Sequence, residues 1–182
     1  MSQGERRPAA DDADRVAASL GEWIDAASFA DRDADQVTGL LVDAVVEWGR
    51  TRHWRVYRRA PSVVPLPAPY SDRFSVVDVG IARAGAAPIV VEVDSSDRQR
   101  TLDKLVAEAR AGRVALWVRW GRGPFRPPPP PVRLVTCVVT SRRDPATGRR
   151  LHSSRSDRLP APQHSDVDLD AAEQGDLFGG EQ

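Results

Sequence analysis

Phe74-Ser75-Val76-Val77-Asp78-Val79-Gly80-Ile81 and Ile89-Val90-Val91-Glu92-Val93-Asp94 decide how this 182-residue chain is read. Both are β-branched runs bounded by Gly and Pro, and both read as strands. Ala84-Gly85-Ala86-Ala87-Pro88 between them is short enough for a hairpin, so the pair is antiparallel and Asp78 and Glu92 fall on neighbouring strands. Side chains alternate along a strand, so Glu92 and Asp94 share one face while Val91 and Val93 take the other. Three carboxylates thereby gather at one end of two apolar strands. Buried carboxylates are costly unless paired or bound to metal, and hard oxygen donors of this kind suit Mg²⁺ or Mn²⁺. The plainer alternative makes them strand-end residues that face water or pair with nearby Arg.

Lys104 is the one lysine among 26 basic residues. A compact ammonium differs from a guanidinium where a cation must approach a reacting group or lower its pKa. An Asp on one strand, a hairpin, and an acidic second strand followed by a lysine resemble the PD-(D/E)XK nuclease superfamily. The resemblance covers about residues 35–140. Asp78 matches the family's Asp, with Val77 where the motif's name has Pro, and Glu92 matches the Glu of the Glu-x-Lys element. Asp94 stands where Lys is expected, and Lys104 looks like a lysine moved onto the following helix, as in some branches. The resemblance implies a restriction-endonuclease-like core, α/β (α+β) in class, with a mixed central sheet flanked by helices in the order α-β-β-β-α-β. It implies Mg²⁺ or Mn²⁺ held by Asp78 and Glu92; Asp94 joins them as a candidate ligand by its strand placement alone, and the three acids with Lys104 form the expected catalytic set. It also implies DNA as substrate, with Lys104 positioning the attacking water. Asp94 in place of the motif lysine leaves open a degenerate member that binds DNA or a protein without cutting.

The flanking elements support that order. Residues 1–12 are polar, lack an apolar period and read as disordered. The domain is expected over 13–141. From Asp14, the residues Val16, Leu20, Trp23, Ile24 and Ala27 follow helical spacing. After a break at Asp31 to Asp33, a second helix over Ala34 to Arg50 presents Val37, Leu40, Leu41, Ala44, Val45 and Trp48 on one face. Glu47 near its end is a further candidate for the metal site, against the alternative of a solvated acid. Trp54 to Arg59 reads as a strand and Pro61 to Pro69 as a loop. Ser96 with Gln99 forms a capping-box pattern before a helix over Arg98 to Ala111 that stops at Gly112. Its apolar stripe is Leu102, Leu105, Val106 and Ala109. Lys104 lies about 160° around the helix from Leu102, so the geometry favours Arg98 as the cation nearest the acids, and the resemblance favours Lys104. Val114 to Trp120 and Val132 to Thr140 read as strands, joined through five consecutive prolines at 127–131.

Hydrophobic residues make up 41% of the chain and charged residues 29%, a globular composition. There is no run of about 18 apolar residues and no charged-then-apolar leader, so a cytoplasmic protein without membrane association is expected. The zero net charge hides a partition. Residues 1–47 carry −7, residues 48–158 carry +13 and residues 159–182 carry −6. A basic centre is the footprint of a phosphate-backbone binder. The single Cys137 lies in an apolar run and reads as a buried strand thiol. Residues 142–182 read as a disordered tail in which Arg142, Arg143, Arg149 and Arg150 could contact phosphate and His152 is solvated. Near its end stands Gln174-Gly175-Asp176-Leu177-Phe178. It resembles the pentapeptide Gln-x-(Asp/Ser)-Leu-Phe by which bacterial replication and repair proteins dock on the β sliding clamp. The resemblance implies clamp contacts through Gln174, Asp176, Leu177 and Phe178.

Overall fold

The computed structural model describes residues 3–155. The elements run α1 (Gln3–Asp25), α2 (Ala34–Thr51), β1 (Arg55–Pro65), β2 (Phe74–Ala82), β3 (Ile89–Asp94), α3 (Gln99–Arg110), β4 (Val114–Gly121), β5 (Arg133–Arg143) and β6 (Arg150–Ser154). The six strands form one sheet in sequence order. The first three make an antiparallel meander. β3 and β4 are parallel, as are β4 and β5, and β5 turns back antiparallel into β6. Parallel neighbours need a crossover, which α3 supplies between β3 and β4. The fold is therefore a mixed α/β sheet flanked by helices, in the order the sequence predicts from α2 to β4.

Burial follows from this layering. Every residue of β3 from Ile89 to Val93 and of β4 from Val114 to Trp120 is buried, as expected for central strands covered on both faces. Val91, Val93, Leu116, Val118 and Trp120 pack with Leu20, Ile24, Leu41, Val45 and Trp48 of α1 and α2. Val90, Ala115 and Trp117 pack instead with Leu105 of α3, flanked by Leu102, Val106 and Ala109. The expected division of β3 thus holds: Val91 and Val93 serve one core, and the residues between them point toward α3.

Four local expectations are corrected. α1 begins at Gln3, well before the apolar period signals, so residues 3–12 are helical. What anchors its first half is a tertiary contact: Asp12 takes the Arg83 guanidinium on both oxygens, at 2.6 and 3.2 Å. β1 continues through Pro61 to Pro65, where the prolines predict a loop. It is an edge strand, the one position in a sheet where proline's missing N–H is harmless. The Ser96/Gln99 capping box does not form; Arg98 occupies the N-cap without a side-chain bond, and Ser96 Oγ accepts from Arg98 Nε. A capping box does form at α2, between Asp33 and Gln36. Finally, residues 142–154 are no tail. Arg142 and Arg143 extend β5 and Arg150–Ser154 form β6. Arg32 and His152 exchange backbone hydrogen bonds of 2.9 and 2.7 Å, tying β6 to the α1–α2 loop. His152 is half-buried, edge-on to Trp120.

Candidate active site

β2 and β3 part company at the acids. Their ladder runs Ile81↔Ile89, Gly80↔Val90 and Val79↔Val91, and stops there. Beyond it, Val93 N–H donates 2.8 Å to Asp78 Oδ2. The Asp78 carboxylate thus does the work of a ladder carbonyl at the fork, which fixes its position beside Glu92. Burial is the main reason its pKa is raised; the Val93 N–H opposes this, and the Asp94 charge adds to it.

Glu92 is deeper, with 9% of its side chain exposed. Lys104 Nζ donates 2.6 Å to Glu92 Oε1 and 2.7 Å to the Val76 carbonyl. Burial pushes the Glu92 carboxyl up to about 7, with the Lys104 bond pulling the other way and the charges of Asp78 and Asp94 adding to the rise. Asp94 lies on the same face and its Oδ2 accepts 3.0 Å from Trp117 Nε1. Among the described residues no group of three or more His, Cys, Asp or Glu side chains is gathered as a shared ion would require. The three expected acids therefore line one cleft, each with one oxygen engaged, without forming a three-acid metal group among the described residues. In the pair Asp78 and Glu92, one oxygen of each, Oδ1 and Oε2, has no protein partner among the described residues. Two carboxylates suffice for Mg²⁺, which keeps several waters and takes phosphate oxygens from its substrate, so this donor set fits such an ion.

The structure decides between the two cations at the acids. Lys104 reaches Glu92, whereas Arg98 is exposed at the N-cap, although both line the cleft. The apolar stripe misled because polar residues share the buried face of α3: Thr101, Leu105 and Glu108 are its buried residues, and Lys104 sits on that side. Glu108 is fully buried and accepts from Ser62 Oγ at 2.5 Å, Val63 N–H at 2.8 Å and Arg113 Nη1 at 2.7 Å. It clamps α3 onto β1 where the β1–β2 register shifts, and so holds the helix that carries Lys104. Nothing in an apolar-period reading flags it.

The pair opens on a cleft of about 620 Å³ lined by Ser75, Asp78, Glu92, Asp94, Arg98 and Lys104, with Ala34, Asp35 and Thr38 from the start of α2 opposite. The α2 acid at the cleft is Asp35. Glu47 is exposed, lies 4.0 Å from Arg50 and is absent from the lining. A residue that the sequence did not single out is Arg119, paired with Asp94 in the β3–β4 register. It is buried, stacks 4.6 Å over Trp117 and donates 3.0 Å to Asp97. Cys137 is buried, and burial pushes its thiol up to about 11, so it is no nucleophile at neutral pH. Gln174, Asp176, Leu177 and Phe178 lie outside the described residues. No helix among the described residues is long and apolar enough to cross a membrane. Compared with protein-family models, with curated proteins and with solved structures, the chain matches none.

Proposed function

We propose that the chain is a Mg²⁺- or Mn²⁺-dependent DNA nuclease with a restriction-endonuclease-like core, acting in DNA repair or processing. The observation that carries this reading is the lone lysine, which bonds Glu92 at 2.6 Å beside Asp78 at the mouth of a cleft. Chance survival of one lysine in an arginine-rich chain gives no reason for it to sit there. Asp78 and Glu92 would hold the cation. When bound, it polarises a phosphoryl oxygen and acidifies a water. The chain's own residues do the rest. An ammonium has three donors, and Lys104 spends two on Glu92 Oε1 and the Val76 carbonyl. The third is left to orient a water or to meet charge on a phosphate oxygen. Val93 N–H holds Asp78 in place, and Trp117 Nε1 does the same for Asp94. The C-terminal Gln174-Gly175-Asp176-Leu177-Phe178 would tether this site to the β sliding clamp.

The test is nicking of supercoiled plasmid, and cleavage of labelled single strands, with Mg²⁺ or Mn²⁺. Wild type should cut only with metal. Asp78→Asn should lose cutting, and Lys104→Arg should lose about 100-fold or more, since a planar guanidinium keeps the charge but not the two short bonds. A wild type that cuts no substrate, yet binds DNA, would favour the degenerate binder suggested by Asp94. Full turnover in Lys104→Arg would remove the lysine from the mechanism.

A further inference from the structure

Beside the acidic cleft lies a second groove, of about 630 Å³, and the two share Ala34 and Ser95 in their walls. Arg122, Arg143 and Arg150 line the second groove. All three are exposed and, among the described residues, none has a carboxylate partner. Their neighbours differ. Arg142 is paired with Asp31 at 2.8 Å and Arg149 with Asp33 at 3.2 Å. The β5–β6 hairpin therefore sorts its arginines into a neutralised pair on the α1–α2 loop and an unneutralised pair on the groove. Arg143 and Arg150 are also directly opposite in the β5–β6 register. Like charges directly opposite destabilise a sheet, so the pairing is unfavourable until an anion lies between them. His152 also lines the groove, and burial, then the nearby Arg150, holds its imidazole below the ordinary value.

We infer that this groove is a duplex-DNA backbone track, in which Arg122, Arg143 and Arg150 hold the phosphates flanking the strand that enters the acidic cleft. Guanidinium forks match phosphate oxygens in geometry and charge. The wall offers no exposed Trp, Tyr or Phe ring on which an unpaired base could stack. Trp120 is 2% exposed and donates its Nε1–H to Thr38 at 3.2 Å. His152 is turned edge-on against it. Single strands gain much of their affinity from such stacking, so a groove that presents three guanidiniums and no exposed Trp, Tyr or Phe favours a duplex. Continuity with the acidic cleft sets the direction: the strand passes from the arginines over Ser95 to Asp78 and Glu92. The track rests on the nuclease reading only for that last step.

The test measures binding and cutting separately on the full-length protein. Anisotropy of a labelled duplex and of its single strand is followed with EDTA across about 50–200 mM salt. Wild type should bind duplex more tightly than single strand. The triple variant Arg122→Gln, Arg143→Gln, Arg150→Gln should lose about tenfold or more in duplex affinity. Its log–log salt slope should fall by about 2–3, at roughly 0.9 for each phosphate no longer neutralised. Arg142→Gln with Arg149→Gln should leave the slope unchanged, because those charges are already paired. A triple variant with the wild-type slope overturns the track. So does wild type that ignores duplex, or that prefers single strand through the same three arginines. Circular dichroism confirms that the exposed substitutions leave the fold intact. If the arginines govern binding and no metal brings cutting, the track stands and the nuclease reading falls. If Asp78-dependent nicking persists with an unchanged salt slope in the triple variant, the reverse holds.

Discussion

At the scale of single residues, Glu92 carries the sharpest expectation. In the unfolded chain its carboxyl titrates near 4.5, and in the fold it holds its proton to about 7. Between those values the folded state binds more protons than the unfolded one, so stability falls as pH rises through the window. Asp78 acts in the same direction, raised first by burial. The metal-free protein should therefore lose thermal stability between about pH 4.5 and 7 through Glu92, with Asp78 adding in the same direction. Glu92→Gln should flatten that decline. A divalent cation needs the ionised carboxylates, so Mg²⁺ should raise Tm at pH 8 and do little at pH 5. Scanning fluorimetry across pH, with EDTA and with Mg²⁺, measures both. Identical pH profiles for wild type and Glu92→Gln would show that the buried carboxyl does not govern the decline.

The strands and helices show how far the sequence could be read. β3 and β4 were legible because burial on both faces favours unbroken apolar runs, β2 because its β-branched run stands between turn residues, and the acids stood out against them. β1 beyond Pro61 was not, since a proline's meaning depends on whether its strand is at an edge, which only the assembled sheet decides. Nor was β6, whose Arg150-Leu151-His152-Ser153-Ser154 has no apolar period and is held by Arg32 and by the β5 ladder. The position of Lys104 was hidden because α3 buries Thr101 and Glu108 along with Leu105. Two variants test these junctions. A Cβ at Gly80 would lie 2.5 Å from Ala60 Cβ on β1, and a strand-borne Cβ has no way to swing aside. Gly80→Ala should cost about 1–3 kcal/mol by overpacking. Glu108→Ala leaves Val63 N–H, Ser62 Oγ and Arg113 without their acceptor and should cost about 3 kcal/mol. Urea midpoints equal to wild type would show that β1 yields at Gly80, or that water replaces the Glu108 clamp.

Across the whole molecule, charge and anchoring residues are kept apart. The +13 of residues 48–158 includes Lys104 and the three groove arginines, while the last 24 residues carry −6. A segment of that sign is repelled by DNA phosphates, so the partner proposed for its Leu177 and Phe178 is a protein. Side by side, the two apolar side chains suit a protein groove, and each contributes about 1.5–3 kcal/mol if fully buried there. Gln174, three residues earlier, supplies both an amide donor and an acceptor to fix orientation. This is the sequence that resembles the clamp-docking pentapeptide. A clamp encircling DNA would raise the local concentration of a nuclease that reads backbone more than bases, and so would supply the targeting that arginines cannot. A peptide spanning Glu173 to Gln182 should bind purified bacterial clamp with about micromolar affinity. In the full-length protein, Leu177→Ala with Phe178→Ala should abolish clamp binding. The same pair should leave duplex affinity and plasmid nicking without clamp unchanged, since Asp78, Glu92, Lys104 and the groove arginines are untouched. Surface plasmon resonance on immobilised clamp reads the first and the nicking assay reads the second. If the intact protein does not bind clamp, or binds it equally with both side chains removed, the pentapeptide is coincidental.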